Sequence, residues 1–279
     1  MLFDTHLHLI YPNKLNYPWL ENVTLLNKPS EYDTYEKVAG RLGISGCLHM
    51  EVDVVEHQIQ EETLLISELM HKSSCLIKGA ISACRPENAN FPVFLDWIQE
   101  NSIIKGLRRV LHVIPDHVSQ TELFRNNINR LEGTGLTFDL CVSAKQLSLA
   151  VELIDHCPNV VFILDHCGVP NIKDNEFNNW SSLILEISKR QNVFCKVSGI
   201  IAYGDPERWV LADIRPYFEH VILAFGHNRI IWGSDSPVCN IGGNLETWVA
   251  LTRALCDDWN KEDRDAFFWK TAHKIWGLS

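Results

Sequence analysis

The chain predicts a (β/α)8 barrel, a single α/β domain over residues 1–279, and three observations carry that expectation. Eight short apolar or β-branched runs recur at intervals of roughly 25 to 40 residues. Amphipathic helical stripes lie between them, which favours a parallel sheet. No G-x-G-x-x-G follows the first run, so an open dinucleotide-binding sheet is disfavoured.

The predicted strands are Leu2–Thr5, Ile44–Met50, Leu76–Ile81, Ile104–Val110, Leu136–Val142, Val160–Leu164, Val193–Val197 and Arg229–Gly233. Most are near-continuous apolar runs, as strands covered on both faces should be. Predicted helices at Gln58–His71 and Phe91–Glu100 fill early gaps. Leu147, Ala150, Val151 and Ile154 make an i, i+3, i+4, i+7 stripe; Trp180, Leu183, Ile184 and Ile187 make another. Leu245, Trp248, Val249 and Thr252 make a third after the last strand. Two stretches break the rhythm. Leu9–Tyr35, with Tyr11, Pro12, Tyr17, Pro18, Trp19 and Pro29, reads as a long loop over one barrel end, and Ser198–Pro206 as a second. Such loops either wall a pocket or pack as surface loops. No Pro/Gly/Ser-rich linker marks a second domain.

Composition narrows the class. At 46% hydrophobic and 22% charged, the chain has ample material for a core, which excludes disorder as its main state. No run approaches the roughly 18 apolar residues of a membrane span. The N-terminus lacks a basic n-region and a small-residue cleavage site, so no secretory signal is expected. With 35 Asp+Glu against 25 Lys+Arg and a net charge of −10, neither nucleic acid nor an anionic membrane is an expected partner. The nine cysteines are odd in number, scattered and free of C-x-x-C pairs. They read as reduced thiols in a cytoplasmic protein, bystanders to the chemistry, which excludes a zinc ribbon or a disulfide frame. The twelve histidines say more.

In such barrels the chemistry sits at the C-terminal strand ends. The predicted exits carry, in order, His6 and His8; Glu51 and Asp53; Ser82; Arg108, Arg109 and His112; and Asp139. Asp165 and His166, Lys196 and Ser198, and Ser234 with Asp235 complete the ring. Ionisable groups there converge on one mouth, where desolvating them is costly unless function requires it. His6 and His8, at i and i+2 of a strand, face the same way and can aim at one ion or one oxygen. Each residue also has a plainer role. Asp235 caps a turn before Ser236-Pro237; His166 is a hydrogen-bonded core histidine; Arg108 or Arg109, Lys196 and Glu51 form structural ion pairs. His49, His71, His156, His220 and His273 lack converging partners and read as structural or solvent-facing.

Asp4-Thr5-His6-x-His8, with Asp235 closing the last strand, resembles the amidohydrolase superfamily. Tyr17-Pro18-Trp19-Leu20, Gly106-Leu107-Arg108-Arg109-Val110-Leu111, Gly135-Leu136-Thr137-Phe138-Asp139-Leu140 and Leu164-Asp165-His166-Cys167-Gly168-Val169-Pro170 narrow it. So do Lys196-Val197-Ser198-Gly199, Trp232-Gly233-Ser234-Asp235-Ser236-Pro237-Val238 and Thr271-Ala272-(x)3-Trp276-Gly277-Leu278. Together these are similar to the amidohydrolase-2 lactonases, a group that includes fuconolactonase-like, rhamnonolactonase-like, sulfomuconolactone and pyrone-dicarboxylate lactone hydrolases. The resemblance runs from residue 2 to 278 and does not select one substrate.

The resemblance implies a hydrolase that opens a sugar-acid or other carboxylate-bearing lactone, with no redox cofactor. It implies that Asp235 is the general base on water and that His6, His8 and His166 bind or polarise the lactone, some members holding a divalent metal there. The candidate catalytic residues are therefore Asp235 and His166. Arg109, His112, Lys196, Tyr203 and Trp19 are the candidate substrate contacts. His6, His8, Asp235 and Glu51 are the candidate ligands of one divalent ion such as zinc. A carboxylate within reach of water can take its proton as it attacks the acyl carbon. Imidazole, a metal ion or Arg can stabilise the oxyanion.

Two departures from the wider superfamily bear on the metal. Asp139 stands on the fifth strand where metal-binding amidohydrolases usually place a His, and Arg109 and His112 replace a bridging Lys or Glu. A dinuclear centre is not expected, and metal-independent hydrolysis stays open. A metal-dependent decarboxylase of the same superfamily and a non-catalytic sugar-acid-binding barrel are the competing readings. The oligomeric state is unspecified.

Overall fold

In the computed structural model, residues 1–278 are described. Strands β1 (Leu2–Leu7), β2 (Ile44–Met50), β3 (Ile77–Ala83), β4 (Ile104–Val110), β5 (Thr137–Cys141), β6 (Val161–Leu164), β7 (Val193–Ser198) and β8 (Ile230–Gly233) pair in parallel in chain order. Past β1 and β8 the sheet closes on itself. Leu7 bridges Ser236, the His8 N–H donates to the Ser236 carbonyl at 2.8 Å, and the Asp235 N–H donates to the His6 carbonyl at 2.9 Å. The outer layer contains α1 (Tyr32–Leu42), α2 (Ile59–Met70), α3 (Phe91–Glu100), α4 (His117–Gln120), α5 (Glu122–Asn129) and α6 (Leu147–His156). It continues with α7 (Phe177–Ile187), α8 (Leu211–Phe225), α9 (Leu245–Leu255), α10 (Lys261–Asp265) and α11 (Thr271–Trp276). The expected barrel is what the chain forms, with predicted strand ends coinciding with the observed ones or lying within two residues.

Alternation on the strands sorts side chains into two cores. Phe138, Leu140, Phe162 and Leu164 point outward and pack beneath the helices. Fully burying a side chain of that size contributes roughly 1.5–3 kcal/mol. Phe3, Leu48, Met50, Ile81, Ile163 and Ile231 fill the lower interior, and Ala272 and Trp276 of α11 plug its N-terminal end. The Trp276 indole N–H donates to Thr137 Oγ1 at 3.2 Å.

Strand β1 departs from strict alternation. Its register against β2 shifts between Asp4 and Leu7, so Phe3 and His6 both reach the interior despite their odd spacing.

The long loop after β1 is better ordered than its composition suggests. Ile10, Leu15, Tyr17, Leu20 and Leu26 pack with Val52 and Val54 in a cluster of their own. A 3-10 turn spans Pro18–Asn22, and α1 starts at Tyr32, so the last residues of the expected loop are helical. The second expected loop, after β7, contains a 3-10 turn at Ile200–Tyr203. No helix among the described residues is long and apolar enough to cross a membrane. All nine cysteines are buried free thiols.

Candidate active site

The strand exits bring His6, His8, His166 and Asp235 together at the C-terminal mouth, all at most 6% exposed. Nε2 of His6 and Nε2 of His8 are 3.2 Å apart. Asp235 Oδ1 lies 3.4 Å from His8 Nε2 and 3.7 Å from His6 Nε2, while Asp235 Oδ2 lies 3.5 Å from His166 Nδ1. Neighbouring backbone and hydroxyl groups orient the rings. His8 Nδ1 donates to the Met50 carbonyl at 3.1 Å, which leaves its Nε2 with a lone pair facing the cluster. His166 Nδ1 is 2.8 Å from Ser198 Oγ and 3.2 Å from the Ser198 carbonyl. Beneath β1 and β8, the Asp4 carboxylate accepts the N–H groups of His6 and Ser234 and the Tyr35 hydroxyl, tying the two strands together.

Two of these residues are held in left-handed backbone conformations, His166 at φ 51° and Asp235 at φ 56°. Non-glycine residues adopt such angles at a cost that the surrounding structure must offset, and functional sites are where this clusters. Gly199, at φ 55°, faces Asp235 so closely that a Cβ there would sit 2.5 Å from Asp235 Cβ. The base fits because position 199 has no side chain.

The electrostatics favour a proton acceptor among neutral imidazoles. Burial pushes Asp235 up to about 6, with His166 and Arg108 pulling the other way. Neither Asp235 oxygen has a hydrogen-bond partner among the described residues. Burial, with Arg108 adding to it, takes His8 down to about 3. Burial likewise lowers His166, and burial together with the Lys196 charge lowers His6 well below its ordinary value.

Directly beneath lies a second set of charges, and it corrects several expectations. Lys196 does not face the mouth. It is fully buried, its Nζ 2.5 Å from Asp139 Oδ2, 2.9 Å from Asp165 Oδ1 and 3.2 Å from His6 Nδ1. Burial alone would lower its ammonium, but the two carboxylates outweigh it and hold it above its ordinary value. Glu51 is not among the groups gathered around Asp235. Its Oε1 accepts from Arg108 Nε at 2.5 Å and its Oε2 from the Asp53 N–H at 2.6 Å, so its oxygens are already engaged.

Of the two adjacent arginines, Arg108 faces the barrel interior and Arg109, the candidate substrate contact, does not. Arg108 shares the inward face of β4 and reaches Asp165 and, at 3.4 Å, His6 Nε2. Arg109 pairs with Glu87 outside the barrel interior. Alternation is the physical reason: adjacent residues of one strand cannot both face inward. Arg109 instead lines an outer cavity of about 280 Å³ with Trp19, Asp53, Arg85 and Val113. There Trp19 donates its indole N–H to the Val52 carbonyl at 2.8 Å. Tyr203 sets its ring edge-on to His166 at 6.1 Å, and the exposed His112 lies at the β4 exit. Sequence reasoning placed Arg108, Asp139, Asp165 and Ser198 at the strand exits but gave none of them a catalytic, substrate or metal role.

The donor set suits a divalent cation. Ligands about 2.0–2.1 Å from a tetrahedral zinc stand roughly 3.3 Å apart, close to the separations among His6 Nε2, His8 Nε2 and Asp235 Oδ1. The unpartnered oxygens of Asp235 also await a positive group. Four buried carboxylates (Glu51, Asp139, Asp165 and Asp235) face two cations (Lys196 and Arg108), so a divalent ion would balance the interior.

A barrel with an H-x-H first strand, an imidazole after β6 and a carboxylate after β8 defines a class of hydrolase. The amidohydrolase family model, Amidohydro_2, matches residues 3–278, and the chain belongs to that family. It is 24% identical over 202 residues to an L-fucono-1,5-lactonase of Burkholderia ambifaria, covering 71% of this chain and 69% of that one. It is 25% identical over 205 residues to an L-rhamnono-gamma-lactonase of Scheffersomyces stipitis, covering 64% and 60%. Its fold is similar to that of a Burkholderia multivorans amidohydrolase solved with bound zinc, at a TM-score of 0.88 and 20% identity over the whole of both chains. A 2,6-dihydroxybenzoate decarboxylase from Rhizobium is more distant, at a TM-score of 0.69 and 14% identity over 99% of this chain and 98% of that one.

Proposed function

We propose that the protein opens the ring of a sugar-acid or similar carboxylate-bearing lactone, with Asp235 as general base. One observation carries this reading: a buried carboxylate, unpartnered and raised toward neutrality, stands among three neutral imidazoles at a barrel mouth. The lactonases among its relatives support the substrate class. Asp235 takes a proton from water as the oxygen attacks the acyl carbon. The C–O bond to the ring oxygen then breaks, and Asp235 returns the proton to the departing alkoxide, giving a hydroxy acid. His166, held by Ser198, hydrogen-bonds the lactone carbonyl region. Tyr203, edge-on to His166, and His112, at the β4 exit, contact hydroxyl or carboxylate groups of the substrate, and Arg109 with Trp19 receives its polar end in the outer cavity.

A divalent ion, held by His6, His8 and Asp235, would supply Lewis-acid polarisation there. The zinc-bound amidohydrolase of the same fold supports that assignment. Asp235 remains the proton acceptor in either case, and turnover after chelation, together with metal analysis, separates the metal-assisted reaction from the metal-free one. The deciding experiment is pH-indicator hydrolysis of a panel of aldonolactones, muconolactones and pyrone lactones by the wild type and Asp235→Asn. Turnover of at least one lactone, abolished in a folded Asp235→Asn variant, is expected. Wild-type inactivity on the whole panel, with or without added zinc, would refute the lactonase reading.

A further inference from the structure

Strand β2 ends at Met50, and the three peptide groups that follow are engaged at both of their polar ends. The Met50 carbonyl accepts from His8 Nδ1 at 3.1 Å, the Glu51 carbonyl from Arg108 Nη2 at 2.8 Å and the Val52 carbonyl from the Trp19 indole at 2.8 Å. The amides of the same three groups are held by the scaffold. The Glu51 N–H donates to the Ile81 carbonyl at 2.9 Å and the Asp53 N–H to Glu51 Oε2 at 2.6 Å. The middle one, the Val52 N–H, donates to Glu62 Oε1 at 2.9 Å. Of these anchors only Glu62 comes from the helical layer, on α2.

Glu62 is 3% exposed although it lies outside the barrel. His49 Nε2 stands 3.3 Å from its Oε1, and no lysine or arginine among the described residues pairs with it. Desolvating a carboxylate there is costly. The contact with Val52 explains its presence, because a buried amide must find an acceptor. A trans peptide is a rigid plane with its N–H and C=O on opposite sides. Holding the Val52 N–H therefore aims the Glu51 carbonyl at Arg108, and the two flanking peptides are one residue away on either side. Asp53, at φ 45°, puts strain at the end of the segment, and such a conformation persists only where the surroundings hold it.

We propose that Glu62 is a positioning residue that, through the Val52 amide, holds the three carbonyls on which His8, Arg108 and Trp19 are set. Its effect on turnover rests on the lactone reading and deepens it; its effect on the segment does not depend on that reading.

The Trp19 indole N–H reports on the segment without substrate. Its signal in 15N-labelled protein is identified by its loss in Trp19→Phe. Its hydrogen exchange is compared with that of Trp248, whose indole donates to the Gly233 carbonyl at 2.8 Å. Glu62→Ala should speed Trp19 exchange about tenfold, the size of one hydrogen bond, and leave Trp248 unchanged. Glu62→Gln, whose amide oxygen still accepts from Val52, should restore the wild-type rate. Thr63→Val removes a neighbouring anchor of α2, the contact of Thr63 Oγ1 with Ser82 Oγ at 3.2 Å, and should leave Trp19 unchanged. Glu62→Asp draws the carboxylate back by one methylene, should give a smaller acceleration, and is the variant to read if Glu62→Ala does not fold. Unchanged Trp19 exchange, equal acceleration of Trp248, or the same effect in Glu62→Gln or Thr63→Val overturns the proposal.

In turnover, Glu62→Ala should lower kcat about tenfold, the scale expected of a group that orients site residues from behind, and Glu62→Gln should stay close to wild type. An unaltered kcat in Glu62→Ala, or an equal loss in Glu62→Gln, overturns the proposal. Should no lactone be turned over while Trp19 behaves as expected, the lactone reading fails and the assignment of Glu62 stands.

Discussion

Two layers of the barrel interior, one above the other, are built from the same kinds of side chain and differ in how fully those groups are paired. In the lower layer Lys196 meets Asp139 and Asp165, and Arg108 meets Glu51. There Lys196 and His6 hold Asp165 well below its ordinary value against its burial. In the upper layer Asp235 is equally buried, has imidazoles but no lysine or arginine beside it, and is pushed upward. Burial pushes up a carboxylate in each layer, Asp139 to about 7 and Asp235 to about 6, but Asp139 is held by Lys196 while Asp235 faces only imidazoles and the open mouth. Burial alone does not mark function; burial without a permanent cation does.

The sharpest way to break this contrast is Asp235→Asn. Loss of a general base should lower kcat about 10²- to 10⁴-fold. The same change should stabilise the metal-free protein by on the order of 1–3 kcal/mol. The sign follows from the raised folded value. The folded state binds the proton more tightly than the unfolded chain, so stability falls as pH rises from about 4 to about 6. Asn removes that penalty, which thermal melts at pH 7 would show. In turnover, kcat/KM of the metal-free wild type should fall about tenfold per unit below about pH 6.

Lys196→Met attacks the lower layer and should do the reverse, costing about 3–5 kcal/mol of stability by leaving Asp139 and Asp165 unpaired. Because those carboxylates would then bind protons more tightly when folded, the deficit should grow with pH. Equal melting temperatures of variant and wild type at pH 8 would refute the division into layers. Gly199→Ala keeps every charge but pushes on the base, and a displacement approaching 1 Å should cost about 10²-fold in kcat with little change in KM. Arg109→Ala should have the smallest effect, a few-fold rise in KM, since Arg109 is half committed to Glu87 at the rim. No change in KM would remove the outer cavity from substrate recognition.

Much of this was legible before folding was considered. The β2 and β4 spans coincide with the predicted ones, each opening on a buried isoleucine and closing on a buried Met50 or Val110. His6, His8, His166 and Asp235 stand out as polar residues at strand exits, and the barrel gathers them. The lower layer was harder to read. Arg108 and Arg109 are indistinguishable by composition, and only the phase of β4 decides which one points inward. Lys196 reads equally as a substrate contact or an ion-pair partner until Asp139 and Asp165, 57 and 31 positions away by the numbering, come to rest beside it. The shift in β1 that turns His6 inward leaves no local signature.

What the sequence by itself determined, then, is the eightfold repeat, the polar ring at the strand ends and the family they announce, because these depend on local periodicity and short motifs. What only the tertiary structure decided is which of those polar groups are already paired, because pairing is a property of space between strands. That distinction separates Asp235 from Asp139 and Arg108 from Arg109.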